Sequence, residues 1–374
     1  MTQRPRFLEF FAGAGLVRLA LEPAWRCVWA NDVSPHKASV YRANFGDGEF
    51  LLDDVAAVEA DALPDAELAW ASFPCQDLSL AGWRRGLGAS RSGTFWAFWG
   101  LMRRMRDADR RPPLIVLENV VGLLHGADFS GLCEALAALD LRFGALVINA
   151  ERFVPQSRPR VFVVACPAEL QSPPPLVQSA PGGLWHPASL VRAADALPQA
   201  LQDRWLWWRL PEPSEPPPAV EVLIEADPPE DAWLARDEAM RLQAMMAAPS
   251  REKLRRAREE GRRYGFLYRR TRQGRQRAEV RFDGVAGCLR TPAGGSSRQT
   301  LLSLDGEQVR MRLLTAREAA RLMGVPDAFV LPTAYNQAYH AMGDGVAVPV
   351  VQWLGEQLLR PLLDAGHSLG SFTR

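Results

Sequence analysis

Residues 6–15 read RFLEFFAGAG, an apolar run of strand type that leads through two glycines into the helical pattern LVRLALEP. Glycines in a strand-to-helix turn let the backbone approach a ligand, although a plain tight turn explains them equally well. The alternation continues through CVWAND, HKASVYRANF, LAWASFPC, FWAFWGLMRRMRD, PLIVLENV, LCEALAALD and RVFVVACP. This pattern predicts an α/β fold, with a mostly parallel sheet covered by helices on both faces.

Prolines interrupt this rhythm between residues 167 and 229, in segments such as SPPPL and EPSEPPPAV. Such a stretch is typical of a domain boundary with irregular structure. We therefore expect a larger domain over residues 1–167, completed by residues 336–374, and a smaller irregular domain over residues 168–335. In the smaller one, residues 251–263 have a helical pattern, and Thr315 with Glu318 forms a capping box for the helix AREAARLM.

The overall composition excludes several classes of protein. The chain has 374 residues, of which 48% are hydrophobic and 23% charged, as in ordinary globular proteins. It has neither a signal-peptide pattern nor an apolar stretch of about 18 residues that would cross a bilayer, so we expect a cytoplasmic protein. The five cysteines are scattered without a CxxC pair, and neither a disulfide framework nor a metal site is predicted.

Charge is unevenly distributed along the chain, although the formal net charge is only +1. Between Arg251 and Arg281 there are 13 Arg or Lys residues and four acidic residues. Tyr264, Phe266 and Tyr268 lie among them, a mixture suited to phosphates and exposed bases, although a solvated helix has a similar composition. This stretch predicts a basic surface.

Carboxylates follow the predicted strands. Asp32 ends CVWAND, and Asp54 stands at a third strand end in LLDDV. A carboxylate in this position accepts hydrogen bonds from ribose hydroxyls in nucleotide-binding sheets, whereas a helix cap is the simpler alternative. Together with the glycine turn, these positions favour a cofactor that carries a nucleoside.

Two further strand ends carry nucleophilic or acid–base chemistry. Cys75 follows LAWASFP near a candidate helix N-terminus and several arginines, which favours a reactive thiolate, although a lone cysteine is more often a buried structural residue. Glu118 and Asn119 end the strand PLIVL, where an acid in apolar surroundings can donate a proton. Arg158 and Arg160 alternate in VPQSRPRVF, which predicts that both lie on one face of a strand.

In their order along the chain, these segments resemble the DNA cytosine-5 methyltransferase family, except over roughly residues 168–275. The unmatched stretch coincides with that family's target-recognition segment, so the resemblance implies that the smaller domain over residues 168–335 is a target-recognition domain. EFFAGAG is similar to that family's cofactor loop, PCQ to its nucleophile motif, ENV to its acid motif and QSRPR to its paired-arginine motif. RLLT with the helix after it resembles the late helix motif, and GDGV the last cofactor-side turn. Two positions depart from the family: Glu9 replaces the usual aspartate, and Asp344 replaces the usual asparagine.

The resemblance implies methyl transfer from S-adenosyl-L-methionine to C5 of a flipped-out cytosine, through a covalent bond between Cys75 and C6. Glu118 would protonate N3, Arg160 would hold the glutamate and the ring oxygen, Arg158 the thiolate region and Asn119 the backbone around the acid. The implied cofactor-binding residues are Phe11, Ala12, Gly13, Gly15, Asp32, Asp54, Val55, Pro74, Gly345 and Val346. The implied DNA contacts are Gln76, Ser79, Arg84, Arg85, Arg91, Ser92, Ser297 and Arg298.

The resemblance further places Phe11 near the cofactor's adenine, Asp32 on its ribose and Asp54 on its amino group. It implies a monomer that acts on double-stranded DNA without membrane association, with a cognate restriction endonuclease as a further partner. The glycine-containing loop over residues 81–93 is expected to close over the extruded base. Three alternatives stay open: a tRNA cytosine-5 methyltransferase of the same family, a catalytically inactive DNA-binding relative and a small-molecule methyltransferase with a similar cofactor fold.

Overall fold

The computed structural model of the protein describes residues 4–74, 93–125, 127–170, 176–272, 274–290 and 298–368. By the contacts between its segments, the chain divides into two units. The first comprises Met1–Ile148, Pro159–Pro213 and Val350–Arg374, and the second comprises Asn149–Arg158 and Ser214–Pro349. The domain limits expected from the sequence, after residues 167 and 335, stay a prediction, because a division by contacts does not show that a part folds independently.

The first unit is built on a sheet of seven strands. They are β1 (Arg6–Phe10), β2 (Arg26–Asp32), β3 (Phe50–Leu52), β4 (Leu68–Ala71), β5 (Leu114–Val120), β6 (Leu141–Asn149) and β7 (Pro159–Pro167). Their order is β3-β2-β1-β4-β5-β7-β6. The pairs β1–β2, β2–β3, β1–β4 and β4–β5 are parallel, whereas β7 runs antiparallel to β5. The expectation of an α/β fold with a mostly parallel sheet is confirmed.

Buried side chains cover both faces of this sheet. Leu8 and Phe10 of β1 share one core with Phe98, and the rings of Phe10 and Phe98 meet edge to face at 4.9 Å. Phe7 and Trp70 are also fully buried. Because successive side chains of a strand point to opposite faces, burial of both sets requires layers on either side, as in α/β proteins. A short pair, β8 (Val177–Gln178) and β9 (Trp207–Trp208), also belongs to the first unit.

The described residues also form helices. They are α1 (Leu16–Leu21), α2 (Pro35–Phe45), α3 (Thr94–Asp107), α4 (Ala127–Ala137), α5 (Ala188–Asp195), α6 (Gln199–Gln202), α7 (Arg236–Ala244), α8 (Ala248–Glu259), α9 (Ala316–Arg321), α10 (Tyr335–Asp344), α11 (Val348–Leu354) and α12 (Arg360–Ser368). Of these helices, α7 to α10 belong to the second unit. Within the described residues, no helix combines the length and the apolar character needed to cross a membrane.

An antiparallel sheet of four strands organises the second unit. The strands are β10 (Tyr264–Arg272), β11 (Arg275–Arg281), β12 (Thr300–Asp305) and β13 (Gln308–Leu313), in the order β11-β10-β12-β13. Leu254 and Ala257 of α8 pack into one core with Leu267 and Ala278 of the sheet. The second unit therefore has its own core of one helix layer on one face of a sheet.

The predicted capping box at the start of α9 is confirmed. The amide of Glu318 donates to Oγ1 of Thr315 at 3.1 Å, and the amide of Thr315 donates to Oε2 of Glu318 at 2.9 Å. The same carboxylate forms a bidentate pair with Arg312, at 2.7 and 2.5 Å, and neither residue is exposed. Glu318 thus satisfies both a helix end and a buried guanidinium.

Candidate active site

The turn after β1 contains three residues with positive φ: Phe11 at 58°, Gly13 at 57° and Gly15 at 78°. For Phe11 this conformation is strained, so the surroundings must hold it in place. The amide of Phe11 donates to Oδ1 of Asn31 at 3.3 Å, and the amide of Gly13 donates to Oδ2 of Asp32 at 2.9 Å. The end of β2 therefore holds the turn.

The two glycines of the turn serve different purposes. A Cβ on Gly15 would lie 2.6 Å from the ring of Phe45 and 2.8 Å from that of Tyr41, so Gly15 permits close packing of α1 against α2. A Cβ on Gly13 would meet nothing closer than Lys37 Cδ, at 3.9 Å. Gly13 is therefore required only for its positive φ, and there is space beside its backbone for a ligand.

Three predicted cofactor residues follow neighbouring strands of the sheet. Phe11 comes after β1, Asp32 ends β2, and Asp54 follows β3. Asp32 is largely buried, and its Oδ1 accepts from the amide of Ser34 at 2.8 Å. Asp54 is exposed and accepts from the amide of Ala56 at 2.9 Å. The structure thus brings the three side chains to the same edge of the sheet.

Asn31 was not among the predicted site residues, although it links the ends of three strands. Its Oδ1 accepts from Phe11, its Nδ2 donates to the carbonyl of Asp53 at 3.2 Å, and its own carbonyl accepts from the amide of Ala12 at 2.8 Å. The signal available was its position in WAND, directly before a predicted ligand. Ala12 and Val55, both predicted cofactor residues, are buried.

Glu118, near the end of β5, forms an ion pair with Arg160, near the start of β7. Arg160 Nε lies 3.1 Å from Glu118 Oε1, and the two side chains are only 15% and 9% exposed. The antiparallel register explains the contact, because Val120 lies opposite Arg160 and Glu118 points to the same face two residues earlier. The predicted acid thus lies in a largely buried position beside a predicted arginine, and its role as proton donor stays a prediction.

Asn119 connects the ends of β4 and β5. Its Nδ2 donates to the carbonyl of Phe73 at 2.9 Å, and its Oδ1 accepts from the amide of Val120 at 2.8 Å. The side chain is 4% exposed, so both bonds are protected from water. Asn119 therefore holds the backbone beside the acid and also the backbone that leads into Pro74, which is exposed.

The predicted nucleophile Cys75 lies outside the described residues. So do most of the predicted DNA contacts and nearly all of the predicted closing loop over residues 81–93. The DNA contacts concerned are Gln76, Ser79, Arg84, Arg85, Arg91, Ser92 and Ser297. Their roles stay predictions from the sequence.

Arg158 belongs to the second unit and is almost completely buried. Its Nη1 donates to the carbonyl of Leu289 at 2.9 Å, and its Nη2 donates to the carbonyls of Gly343 and Gly345 at 2.8 and 2.5 Å. The structure thus unites Arg158 with the predicted cofactor-side turn. Only Arg160 lies in a strand, since β7 begins at residue 159, so the expectation that one strand carries both arginines is wrong.

Gln156 supports the same backbone as Arg158 and is fully buried. Its Oε1 accepts from the amide of Leu289 at 3.0 Å, and its Nε2 donates to the carbonyl of Leu322 at 2.8 Å. Because its amide both accepts and donates, Gln156 connects two backbone segments. Together with Arg158, which also bonds Leu289, it forms a buried hydrogen-bond network within the second unit.

Two other predicted residues of the second unit, Arg298 and Val346, lie outside α10 but near it. The guanidinium of Arg298 lies 5.2 Å from the ring centroid of Tyr335 and donates to Oδ1 of Asn336. Val346 is 3% exposed and follows the turn that Arg158 holds. Arg298 therefore already has an aromatic and a polar neighbour, and its DNA contact stays a prediction.

The two positions that depart from the family pattern differ in burial. Asp344, at the end of α10, is exposed. Glu9 of β1 is 1% exposed, and its carboxylate faces the backbone amides of Val17 and Arg18 in α1. Burial raises the pKa of Glu9 to about 8, and the nearby charge of Arg18 offsets this only in part. Glu9 is thus a buried acid that tends to stay protonated.

Comparison with known proteins identifies a matching sequence family. The sequence model of the family C-5 cytosine-specific DNA methylase matches residues 5–360. Type II methyltransferase M.NlaX of Neisseria lactamica is 26% identical over 360 residues, which are 94% of this chain and 96% of that protein. Type II methyltransferase M.HhaI of Haemophilus parahaemolyticus is 26% identical over 354 residues, which are 93% and 92% of the two proteins.

Solved structures with the same fold include the Dnmt2 methyltransferase of S. pombe, with a TM-score of 0.63 and 19% identity over 96% of this chain and 99% of that one. The sheet and this likeness define the class of fold, an α/β protein with a mostly parallel sheet. More particularly, the chain belongs to the C-5 cytosine-specific DNA methylase family, whose model spans nearly all of it.

Proposed function

We propose that this protein is a site-specific DNA cytosine-5 methyltransferase that uses S-adenosyl-L-methionine. The observation that carries the proposal is the group at the ends of β4 and β5, in which Glu118 pairs with Arg160 and Asn119 bonds to the carbonyl of Phe73. Phe73 stands two residues before Cys75 in the sequence. An acid, its cationic partner and a nucleophilic thiol are the groups that methylation of cytosine at C5 requires.

The chemistry follows from the low reactivity of cytosine C5, which becomes nucleophilic only when electrons are pushed into the ring. The thiolate of Cys75 bonds to C6, and Glu118 gives its proton to N3, so that C5 carries the electron pair. S-adenosyl-L-methionine supplies an electrophilic methyl group. Once C5 is methylated, a base removes the C5 proton, the bond between Cys75 and C6 breaks, and N3 returns its proton to Glu118.

Arg160 has enough donors to serve both the acid and the substrate. Its Nε contacts Glu118, and its Nη1 donates to the carbonyl of Pro159 at 2.9 Å. A guanidinium has five N–H donors in a plane, so donors remain for the ring oxygen of cytosine. In this role Arg160 orients the acid. It also stabilises the negative charge that develops on the ring oxygen when the addition of the thiolate to C6 interrupts the aromatic system.

The described residues fit S-adenosyl-L-methionine. Phe11 offers an aromatic ring to an adenine. Asp32, at the end of the neighbouring strand, offers a carboxylate to a ribose diol. Asp54, which follows the next strand, is an exposed carboxylate that can accept a hydrogen bond from the cofactor's amino group. Gly13 leaves its backbone open beside them. The roles of Gly15, Pro74, Gly345 and Val346 in cofactor binding remain part of the proposal.

Arg158 is assigned a positioning role, in addition to the contact with the thiolate region that the resemblance implies. Its described partners are mainly backbone carbonyls, including that of Gly345 in the cofactor-side turn. A guanidinium that bonds several carbonyls fixes their relative positions and has few donors left for a reacting group. Arg158 thus acts on the reaction through the backbone that it holds.

The substrate is double-stranded DNA from which the cytosine is extruded, because C6 of a paired and stacked base is closed to covalent attack. The relatives M.NlaX and M.HhaI are Type II methyltransferases, which supports a cognate restriction endonuclease as a partner. Because one active site meets one extruded base at a time, a monomer is sufficient for this reaction.

Transfer of labelled methyl groups to mixed-sequence duplex DNA tests the proposal. Label at cytosine C5 with the wild-type protein, and none with Cys75→Ala, is the expected result, and sequencing of the modified bases gives the target site. Label in tRNA instead of duplex DNA would establish the RNA-methylating alternative. DNA binding without label in either substrate would identify an inactive relative.

A further inference from the structure

A cluster of ionisable side chains lies in the first unit beside the turn over residues 11–15, which we call the β1–α1 turn. Glu9 of β1 belongs to the cluster and points away from the core that contains Phe10, because successive strand residues alternate between faces. Arg18 of α1, Cys27 of β2 and Tyr41 of α2 complete it, and all four members are less than 10% exposed. Such burial of ionisable groups is costly unless they are paired or neutral.

Arg18 is paired, and it connects the cluster with the surface. Its Nη1 donates to the hydroxyl of Tyr41 at 2.9 Å, and its Nε donates to Glu22 at 2.8 Å. Nη1 also lies 3.3 Å from a carboxylate oxygen of Glu49. The side chains of Glu22 and Glu49 are 32% and 34% exposed. Because two carboxylates already balance the guanidinium, its charge does not require that Glu9 ionise as well.

The cluster adjoins the β1–α1 turn at both ends. Glu9 stands two residues before Phe11, and its carboxyl group faces backbone amides in the first turn of α1, just after Gly15. A Cβ on Gly15 would lie 2.8 Å from the ring of Tyr41, so this ring packs directly against the turn. A charge held by the turn is therefore separated from Glu9 by buried protein, which screens it much less than water does.

The buried acids of the cluster differ in where they titrate. Burial raises the pKa of Glu9 to about 8, an effect that the charge of Arg18 opposes and that of Glu22 reinforces. Burial also raises the pKa of Cys27 to about 12 and raises that of Tyr41. Among these three buried acids, only Glu9 can therefore change its charge near neutral pH.

We propose that Glu9 distinguishes S-adenosyl-L-methionine from its demethylated product, S-adenosyl-L-homocysteine, by the charge that each brings to the β1–α1 turn. The sulfonium of the first is a cation, whereas the thioether of the second is neutral, and the two molecules are otherwise alike. Glu9 releases its proton to water when the cation is bound, and it takes up a proton from water once the methyl group has left. The carboxylate thus attracts the cofactor and not the product. This inference rests on the proposed function, because it assumes that the turn binds this cofactor.

Proton release on binding tests the proposal without recourse to catalysis. We would titrate the full chain with each ligand by calorimetry, in two buffers of different ionisation enthalpy, over a pH range of about 6 to 9. Both ligands carry an amino group that titrates near pH 8, so the informative quantity is the number of protons released with the cofactor minus that with the product. Below about pH 8 this difference should be positive in wild type. The affinity ratio of cofactor to product should then rise with pH, by at most about tenfold per pH unit.

Three variants assign the difference to one residue. Glu9→Gln keeps the size of the side chain but cannot ionise, so it should abolish the difference and make the affinity ratio independent of pH. Glu9→Asp keeps an acid and should restore the difference in part. The matched control is Glu49→Gln, which removes a partly exposed carboxylate beside Arg18 and should leave the difference as in wild type.

Equal proton release with both ligands in wild type would overturn the proposal, and this comparison does not depend on the folding of any variant. A difference that persists in Glu9→Gln would belong to another group and would overturn it as well. In either case, binding of both ligands by wild type would leave the proposed function intact. If wild type binds neither ligand, the proposed function fails together with this inference.

Discussion

Arg158 and Arg160 stand on either side of Pro159, yet the two units give them different partners. Arg160, in the first unit, meets the ionisable side chain of Glu118. Arg158, in the second, donates to backbone carbonyls such as that of Gly345. A carboxylate can change its protonation during a reaction, whereas a carbonyl cannot. Arginines from one short motif can therefore divide into a group that takes part in chemistry and a group that holds structure.

The largest effect is expected where the ionisable partner is removed. Glu118→Gln keeps the size and the hydrogen-bonding capacity of the side chain but cannot donate an acidic proton. Loss of general acid catalysis lowers kcat about 10²–10⁴-fold, with cofactor affinity unchanged. Single-turnover methyl transfer and cofactor titration measure the two quantities.

The control for this variant is Glu67→Gln, since Glu67 also pairs with an arginine, Arg6, at 3.0 Å and lies in the first unit. It should leave kcat unchanged. Wild-type turnover in Glu118→Gln would mean that the acid is another group and that the contrast between Arg158 and Arg160 has no chemical basis.

The second effect separates the arginines by stability. Arg158→Met leaves buried carbonyls of Leu289, Gly343 and Gly345 without a donor, and each such group costs about 1–3 kcal/mol. Unfolding by denaturant should show a large loss of stability, which Arg158→Lys restores in part. Arg160→Met should lower kcat with a smaller change in unfolding. If Arg160→Met proves the more destabilising of the two, the division between chemistry and structure is wrong.

Sequence could predict the sheet and the residues at its ends because this information is local. Apolar runs that stop at Asp32 or Glu118 indicate where a buried strand meets the ligand edge, and the structure has both residues at strand ends. The strand β6 was not anticipated. One of its residues, Gly144, lies so close to Leu206 that a Cβ would be 1.9 Å from the carbonyl oxygen. Such a close approach is a tertiary constraint with no local pattern.

The partners of Arg158 could not be predicted for the same reason. Leu289 and Gly345 lie more than a hundred residues further along the chain, and alternation in QSRPR indicates only a direction for each side chain. The hairpin of β10 and β11 was also missed, because its alternate positions are occupied by arginines instead of apolar residues. A local sequence pattern therefore predicts the reactive residues at strand ends. It does not predict buried hydrogen-bond networks, because these depend on which distant segments meet in the fold.

Buried glutamates provide a third contrast, between Glu118, which forms an ion pair with Arg160, and Glu9, whose protonated form is favoured by burial. Burial raises the pKa of Glu9 to about 8, whereas an ordinary glutamate titrates near 4.5. Between these values the folded chain keeps a proton that the unfolded chain has released. The free energy of unfolding therefore falls by about 1.4 kcal/mol per pH unit as pH rises through this window, and levels off above it.

Glu9→Gln should abolish this part of the pH dependence, because the amide does not ionise. Denaturant unfolding of wild type and variant, over the same pH window and without cofactor, measures the difference between their slopes. The variant should be the more stable protein at the alkaline end and should show no advantage at the acid end. Parallel slopes would mean that Glu9 is ionised in the folded chain and has a partner there.

The smallest effect concerns the backbone that leads to the predicted nucleophile. Asn119→Asp keeps the acceptor for the amide of Val120 but removes the donor to the carbonyl of Phe73. A buried carbonyl left without its donor costs about 1–3 kcal/mol, which corresponds to a loss in kcat of up to about a hundredfold if the bond positions Cys75. Asn44→Asp is the control, since Asn44 Nδ2 also donates to a carbonyl, that of Val40, at 2.8 Å.

The two asparagine variants make the same chemical change at different places. A difference in kcat between them therefore reports the location of the lost hydrogen bond, and not the loss of stability. If both lose stability and only Asn119→Asp loses kcat, the bond to Phe73 acts on the reaction through the backbone, as Arg158 does in the second unit. If both leave kcat unchanged, Asn119 has a structural role only. In that case Glu118 and Arg160 would be the sole described residues of the strand ends with a part in the chemistry.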